Sequence, residues 1–350
     1  MANVVKGGLR SRVFGAGLRA LGASGVARLA APRVGGVGAI LMFHNVRPWV
    51  DPGFAPNRGL EIEPGFLDRT IQTLRDNDFD IIAMDEVAER IRAPGRRRFA
   101  ALTLDDGYRD NLVHALPVFE RHKAPFTIYV ATGYADATAR LWWTELEKAV
   151  RALDQVPFEG RTLPARADAE KMAAFLKIYW NLRAGSDERL LREIAGLADH
   201  AGIDAPALTR DFCMRWDEIA LIAKNPLCAI GVHTLTHPRL ASLDEAAARR
   251  EMAESRAIIE ARLGRPARHF AYPLGDPSSA GPREFALANE LGFETAVTTR
   301  KGMLFPEHAD NLMALPRMSI NGDYQRVDYL ELLLTGAPFW IWNKGRRVAA

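Results

Sequence analysis

Short apolar runs alternate with amphipathic stretches along most of this chain, and that alternation sets the first expectation. Residues 39–43 form a buried-strand pattern that ends at His44. A loop rich in Pro and Gly follows over 48–60, after which Phe66, Ile71 and Leu74 fall at helical spacing within 64–77. The pattern then reads strand at 81–84, helix at 86–92 with Asp85 placed to cap it, strand at 99–104, helix at 111–122 and strand at 126–130. Residues 144–225 break the rhythm. Met172, Phe175, Tyr179 and Leu182 share one helical face there, and Leu190, Leu191, Ile194 and Leu197 another, which predicts a helical insertion beside the mouth of the main unit. Alternation resumes with a strand at 228–232, a long helix to about 263 opened by the capping-box pattern Ser242-x-x-Glu245, a strand at 269–272, a helix at 283–291, a strand at 294–298 and a last apolar run at 315–320. Strands separated by helices in this way predict an α/β fold with a parallel sheet or barrel.

Composition narrows the class. The 350 residues carry a formal net charge of +3, which makes no case for nucleic acid as a partner, and no run approaches the roughly 20 apolar residues of a membrane span. Cys213 and Cys228 are too few for a disulfide framework and match no zinc-finger spacing, so a reducing, cytoplasmic setting is expected. The first 37 residues read as a separate basic arm. Lys6, Arg10, Arg12, Arg19, Arg28 and Arg33 lie in it, no acid occurs before Asp51, and Phe14, Leu18 and Leu21 fall at helical spacing. Two readings stay open for this arm: an amphipathic anchor on the inner membrane face, or an ordinary helix packed on the domain. Arg19 interrupts the apolar stretch and no small-residue cleavage site follows it, which argues against a cleaved signal peptide. The barrel is expected over 38–325, with the insertion at 144–225 and a tail at 326–350.

The ionisable residues that matter sit where predicted strands end. Asp105 and Asp106 follow Leu102-Thr103-Leu104, His233 follows Ile230-Gly231-Val232, and His44 follows Leu41-Met42-Phe43. In a parallel barrel such strand ends converge at one face. Adjacent carboxylates repel unless a cation sits beside them, although Asp-Asp-Gly-Tyr is also acceptable turn chemistry. His233 and His237, four apart, can face the same way. Together with Asp106 they offer two nitrogens and one oxygen, the donor set of a hydrolytic metal site with an open position, and Asp105 is then free to take a proton.

These segments resemble a known family. Thr103-Leu104-Asp105-Asp106-Gly107 is similar to the first motif of the polysaccharide deacetylases, the family of the nodulation chitooligosaccharide deacetylase (carbohydrate esterase family 4). His233-Thr234-Leu235-Thr236-His237-Pro238 is similar to the second, and Phe270-Ala271-Tyr272-Pro273-Leu274-Gly275 to the third. The resemblance spans roughly 38–320 and implies a distorted (β/α) barrel of about seven strands. It also implies a divalent metal, usually zinc, on Asp106, His233 and His237, with Asp105 as base. The third motif implies an oxyanion donor at the Leu274 N–H, with Tyr272 on the substrate side.

The departures are as informative. Where many members carry an arginine in the third motif, this chain has Ala271, and the late Leu-x-His that supplies the general acid is missing. Leu41-Met42-Phe43-His44-Asn45-Val46 instead resembles an element of the permuted branch that includes poly-N-acetylglucosamine deacetylases, which implies His44 as the acid. Arg317, in Leu315-Pro316-Arg317, is the candidate for the missing cationic partner of Asp105, and Trp142 and Trp143 are candidates for stacking on sugar faces. The expected activity is removal of N-acetyl groups from an oligo- or polysaccharide of the chitooligosaccharide or poly-N-acetylglucosamine type. An O-deacetylase, a deacetylase of a lipid-linked sugar, and a glycan-binding module without catalysis are the alternatives. An aspartyl-nucleophile phosphatase is set aside because it needs Asp-x-Asp and position 104 is Leu.

Overall fold

The computed structural model describes residues 25–50 and 53–348, together with Gly17 and Gly22. Eight parallel strands build its main sheet: β1 (Gly38–Phe43), β2 (Phe79–Ile82), β3 (Arg98–Leu104), β4 (Phe126–Val130), β5 (Cys228–Val232), β6 (His269–Ala271), β7 (Thr295–Lys301) and β8 (Leu315–Ser319). Seven of them close a barrel, because β1 pairs with β3 on one side and with β8 on the other. The eighth, β2, shares an edge. It pairs with residues 98–101 of β3, and β4 takes over from Leu102 to Leu104 on the same side. The barrel is therefore distorted where β3 changes neighbour halfway along its length.

Every residue of β1 is buried, as expected of a strand covered on both faces. The period of two divides them. Ala39, Leu41 and Phe43 join the large cluster under the surrounding helices, while Ile40 packs inside the barrel with Ala101, Tyr129, Ala271 and Leu315. Gly231 makes room for that interior, since a Cβ there would lie 2.4 Å from the Tyr129 ring.

The expected insertion is present with different limits and contents. It opens with the helix Trp142–Ala152, includes an antiparallel hairpin of Gln155–Phe158 and Arg161–Pro164, and continues with the helices Asp168–Ala184, Asp187–His200 and Ala205–Phe212. The hairpin escaped the helical reading because it is only four residues a side and turns at Glu159 and Gly160, both at positive φ. These elements bury a core of their own around Trp142, Phe175, Tyr179 and Ile194. The helix Trp216–Ala223, by contrast, packs Ile219 and Ile222 into the main cluster and belongs to the barrel's outer ring.

Two further expectations are corrected. The long helix Glu245–Leu263 is capped by Asp244, whose carboxylate accepts the Ala247 N–H at 2.7 Å, whereas Ser242 closes the preceding 3-10 turn. The expected tail folds as the helices Val327–Leu334 and Ala337–Trp342, which send Leu330, Leu334 and Phe339 into the main core. In the basic arm, Val26–Val34 is a helix packed on that carboxy-terminal pair. Phe14, Leu18 and Leu21 lie outside the described residues.

Candidate active site

The carboxyl ends of β1, β3, β5 and β8 bring the singled-out residues together. Asp105 N–H extends the ladder by donating to the Phe43 carbonyl, and His233 N–H does the same to Val130. Immediately beyond each ladder the backbone enters the left-handed region, at Asp106 (φ 73°), Gly107 (71°), Thr234 (69°), His237 (60°) and Leu274 (61°). Only one of these five is glycine. Left-handed conformations at bulky residues persist where the surrounding structure enforces them, and they gather at functional sites.

Asp106 Oδ1 lies 3.4 Å from His233 Nε2 and 3.4 Å from His237 Nε2, and all three side chains are buried. That spacing is too long for a good hydrogen bond, and neither carboxylate oxygen of Asp106 has a hydrogen-bond partner. It does match the edge, about 3.4 Å, of a tetrahedron whose centre lies about 2.1 Å from each ligand. The three ligand atoms sit within 4.8 Å of one another, so these residues fit a divalent cation. His233 is oriented for this, with Nδ1 2.7 Å from the Ala271 carbonyl and Nε2 left facing Asp106. Burial opposes the charge on Asp106, and the neighbouring His233 and His237 outweigh it, which holds the carboxyl well below its usual range. Burial pushes the His237 imidazole down to about 3, so it stays neutral with a lone pair to share.

Asp105 faces a different partner. Arg317 Nη1 and Nη2 donate to its two oxygens at 2.7 and 2.6 Å, while Arg317 Nε donates to the Thr298 carbonyl at 2.9 Å. Burial works against the Asp105 charge, and the guanidinium overrides it, keeping the carboxyl below the ordinary range. His44 Nε2 stands 4.0 Å from Asp105 Oδ2. Burial lowers the His44 pKa against the pull of Asp105 and Asp106.

Leu274 and Gly275 are both left-handed, and the Leu274 N–H has no hydrogen-bond acceptor among the described residues. Tyr272 is not on the substrate side. Neighbouring Ala271 faces the barrel interior, so Tyr272 points outward into the helical layer, where its hydroxyl donates to the Met313 carbonyl at 2.9 Å. Trp142 packs on Tyr179 inside the insertion's core and offers no platform for a sugar. Trp143 is also buried. Its Nε1 donates to Tyr108 Oη at 3.1 Å, and its ring lies 5.1 Å from that of His237.

Sequence reasoning missed the supports of the second motif. Glu251, on the long helix, accepts the N–H groups of Leu235 and Thr236 and the Thr236 hydroxyl, while Ser255 donates to the Thr234 carbonyl. A glutamate on a helix with many charges carries no local mark of such a role. Asn111 donates to the His44 carbonyl at 2.8 Å, and the Tyr134 ring stacks 5.9 Å from His237. Beside the site runs a groove of about 440 Å³, walled by Asn45, Trp49, Tyr108, Trp143, Lys148 and Phe212.

A carboxylate with two imidazoles, next to a second carboxylate locked by arginine at the carboxyl end of a parallel barrel, is the apparatus of a hydrolase that splits acyl bonds. The polysaccharide deacetylase family profile matches residues 92–296, and the chain belongs to that family. Solved structures share its fold. The deacetylase PplD of Streptococcus pyogenes, in complex with acetate, aligns at 18% identity over 85% of this chain and 96% of its own, with a TM-score of 0.57. IcaB of Ammonifex degensii aligns at 18% over 86% and 97%, TM-score 0.54. A de-N-acetylase from Aggregatibacter actinomycetemcomitans aligns at 11% over 84% and 99%, TM-score 0.52. No curated protein matches the chain in sequence. The protein is a polysaccharide deacetylase.

Proposed function

We propose that this deacetylase hydrolyses N-acetyl groups on a polymer or oligomer of N-acetylated sugar, with a divalent metal of the zinc type. The observation that carries the reading is the pairing of two buried aspartates with opposite partners: Asp106 facing two imidazoles, and Asp105 clamped by Arg317. Asp106, His233 and His237 would hold the ion, which supplies Lewis acidity toward a carbonyl oxygen and makes water a better acid.

The chain's own groups do the rest. Asp105, kept anionic by Arg317, accepts a proton from the attacking water. The Leu274 N–H donates to the carbonyl oxygen as charge develops there, a contribution of about 3 kcal/mol for donors of this kind. His44, beside Asp105, gives a proton to the nitrogen as the C–N bond breaks, and acetate and a free amine result. An amine leaving group needs that proton far more than an alcohol does, which favours the N-acetyl over the O-acetyl substrate. The groove alongside the site, with the Trp49 and Phe212 rings on its walls, suits neighbouring sugars of a chain.

The test is acetate release from chitooligosaccharides, β-1,6-linked N-acetylglucosamine polymer and O-acetylated glycans, with bound metal measured on the same sample. Release from the N-acetylated substrates that stops on chelation and returns with metal is the expected result. Metal-replete protein that liberates acetate from none of them sinks the proposal.

A further inference from the structure

The charge of this protein is unevenly placed. Residues 1–34 and 337–350 contain nine lysines and arginines and no acid, so the remainder of a chain with net +3 is itself negative by six. The structure brings the described parts of these ends together, residues 26–34 and 337–342. The helix Val26–Val34 packs on the helix Ala337–Trp342, with Ala27, Val34 and Ala337 buried between them and a Gly336 Cβ excluded by the Val34 carbonyl at 2.0 Å.

Their outward faces are apolar. Leu29 is 80% exposed, Ile341 63% and Trp340 37%, and Val26 and Trp342 are exposed as well. These five are half of the large apolar side chains exposed among the described residues, gathered on 15 residues of helix. Arg28, Arg33, Lys344, Arg346 and Arg347 lie on the same two segments, and Lys301 reaches over the Trp342 ring at 4.1 Å. Among the described residues two of these arginines pair with acids, Arg28 with Glu331 at 3.7 Å and Arg347 with Glu307 at 2.7 Å, which leaves the patch positive.

We infer that this paired-helix face docks on an anionic lipid surface, with Leu29, Trp340 and Ile341 entering the interfacial layer and the basic residues meeting headgroups. Tryptophan and aliphatic side chains ringed by Lys and Arg are the composition of an interfacial element. No helix among the described residues is long and apolar enough to cross a membrane, so the contact is peripheral. A second copy of the chain is a poor occupant, because two such basic faces repel. Nucleic acid would satisfy the charge but gives exposed leucine and isoleucine nothing to bury against.

The face lies at the amino end of the barrel. Val34 sits just before β1, and Arg98, the first residue of β3, donates to the Leu334 carbonyl at 2.8 Å. Asp105, His233 and Arg317 are at the other end. Docking would therefore turn the catalytic mouth away from the lipid, toward glycan arriving from the aqueous side.

Flotation of the full chain with vesicles decides the matter. Binding is expected to vesicles of phosphatidylcholine with one-third phosphatidylglycerol, to be absent with phosphatidylcholine alone, and to weaken as salt is raised. Leu29→Glu with Ile341→Glu, both highly exposed, should lower the bound fraction about tenfold or more while leaving the circular dichroism spectrum and the activity on soluble oligosaccharide unchanged. Lys344→Glu with Arg346→Glu should do the same through charge. Equal binding to neutral vesicles, no binding at all, or a Leu29→Glu/Ile341→Glu protein that floats like the parent overturns the inference. Salt-sensitive binding to duplex DNA, lost in the charge variant and indifferent to the apolar one, would reassign the face to nucleic acid.

Discussion

Arg317 from β8 grips Asp105 at the end of β3 through two parallel hydrogen bonds, and both residues are almost completely buried. The clamp supplies the cationic partner expected of Arg317, in a chain whose third motif has Ala271 where an arginine was looked for. In this chain position 271 is alanine, and its carbonyl receives His233 Nδ1 instead. His233 and Asp105 are thus each held by a group on another strand of the barrel, Ala271 on β6 and Arg317 on β8.

Removing one side of that clamp should be costly. Arg317→Met leaves a buried carboxylate without a partner, and the expected loss is about 3–5 kcal/mol of stability, measured as a shift in the denaturant midpoint. The double variant Arg317→Met/Asp105→Asn should recover much of the loss without recovering activity. An Arg317→Met protein as stable as the parent would remove the clamp from the account.

The two aspartates should fail in different ways. Asp105→Asn is expected to keep its metal, by elemental analysis, and to lose turnover by about 10²–10⁴-fold. Asp106→Ala should lose the metal itself. Equal metal loss in both variants would mean that their roles are not divided as proposed.

His44→Ala should lower kcat by about 10²-fold or more with little change in KM, since general acid assistance acts on the transition state. Undiminished kcat in this variant would move the acid elsewhere.

Asp110 offers a pH test outside the chemistry. Burial pushes its carboxyl up to about 7, although the Val46 N–H donates to it at 3.1 Å. The folded state then holds a proton, between about pH 4 and 7, that the unfolded chain has released. This favourable contribution is present at low pH and lost as pH rises through 7. Asp110→Asn, which keeps the acceptor and cannot ionise, should gain stability relative to the parent at pH 8 compared with pH 5. Denaturant midpoints at the two pH values give the comparison, and an unchanged difference would discard the raised pKa.

Much of this was legible in the chain because it is written locally. Each barrel strand is a short apolar run, and Asp105, Asp106 and His233 stand directly at strand ends, where alternation alone assigns them to one face. What was illegible depends on distance or direction. Arg317 was singled out as the partner of Asp105 only through the arginine absent from the third motif, because nothing beside it marks a guanidinium that reaches a residue 212 positions earlier. Tyr272 was misplaced because, in a strand buried on both faces, hydrophobicity does not say which side points inward. The hairpin at 155–164 and the two carboxy-terminal helices were too short to show a period.

The left-handed backbone at Asp106, Thr234, His237 and Leu274 weighs against the stability of the fold. Each such residue costs about 1 kcal/mol or more against an unstrained alternative, and glycine at the same place would relieve it. Four side chains thus stand at corners where folding alone would favour glycine, which marks these positions as held for something other than stability.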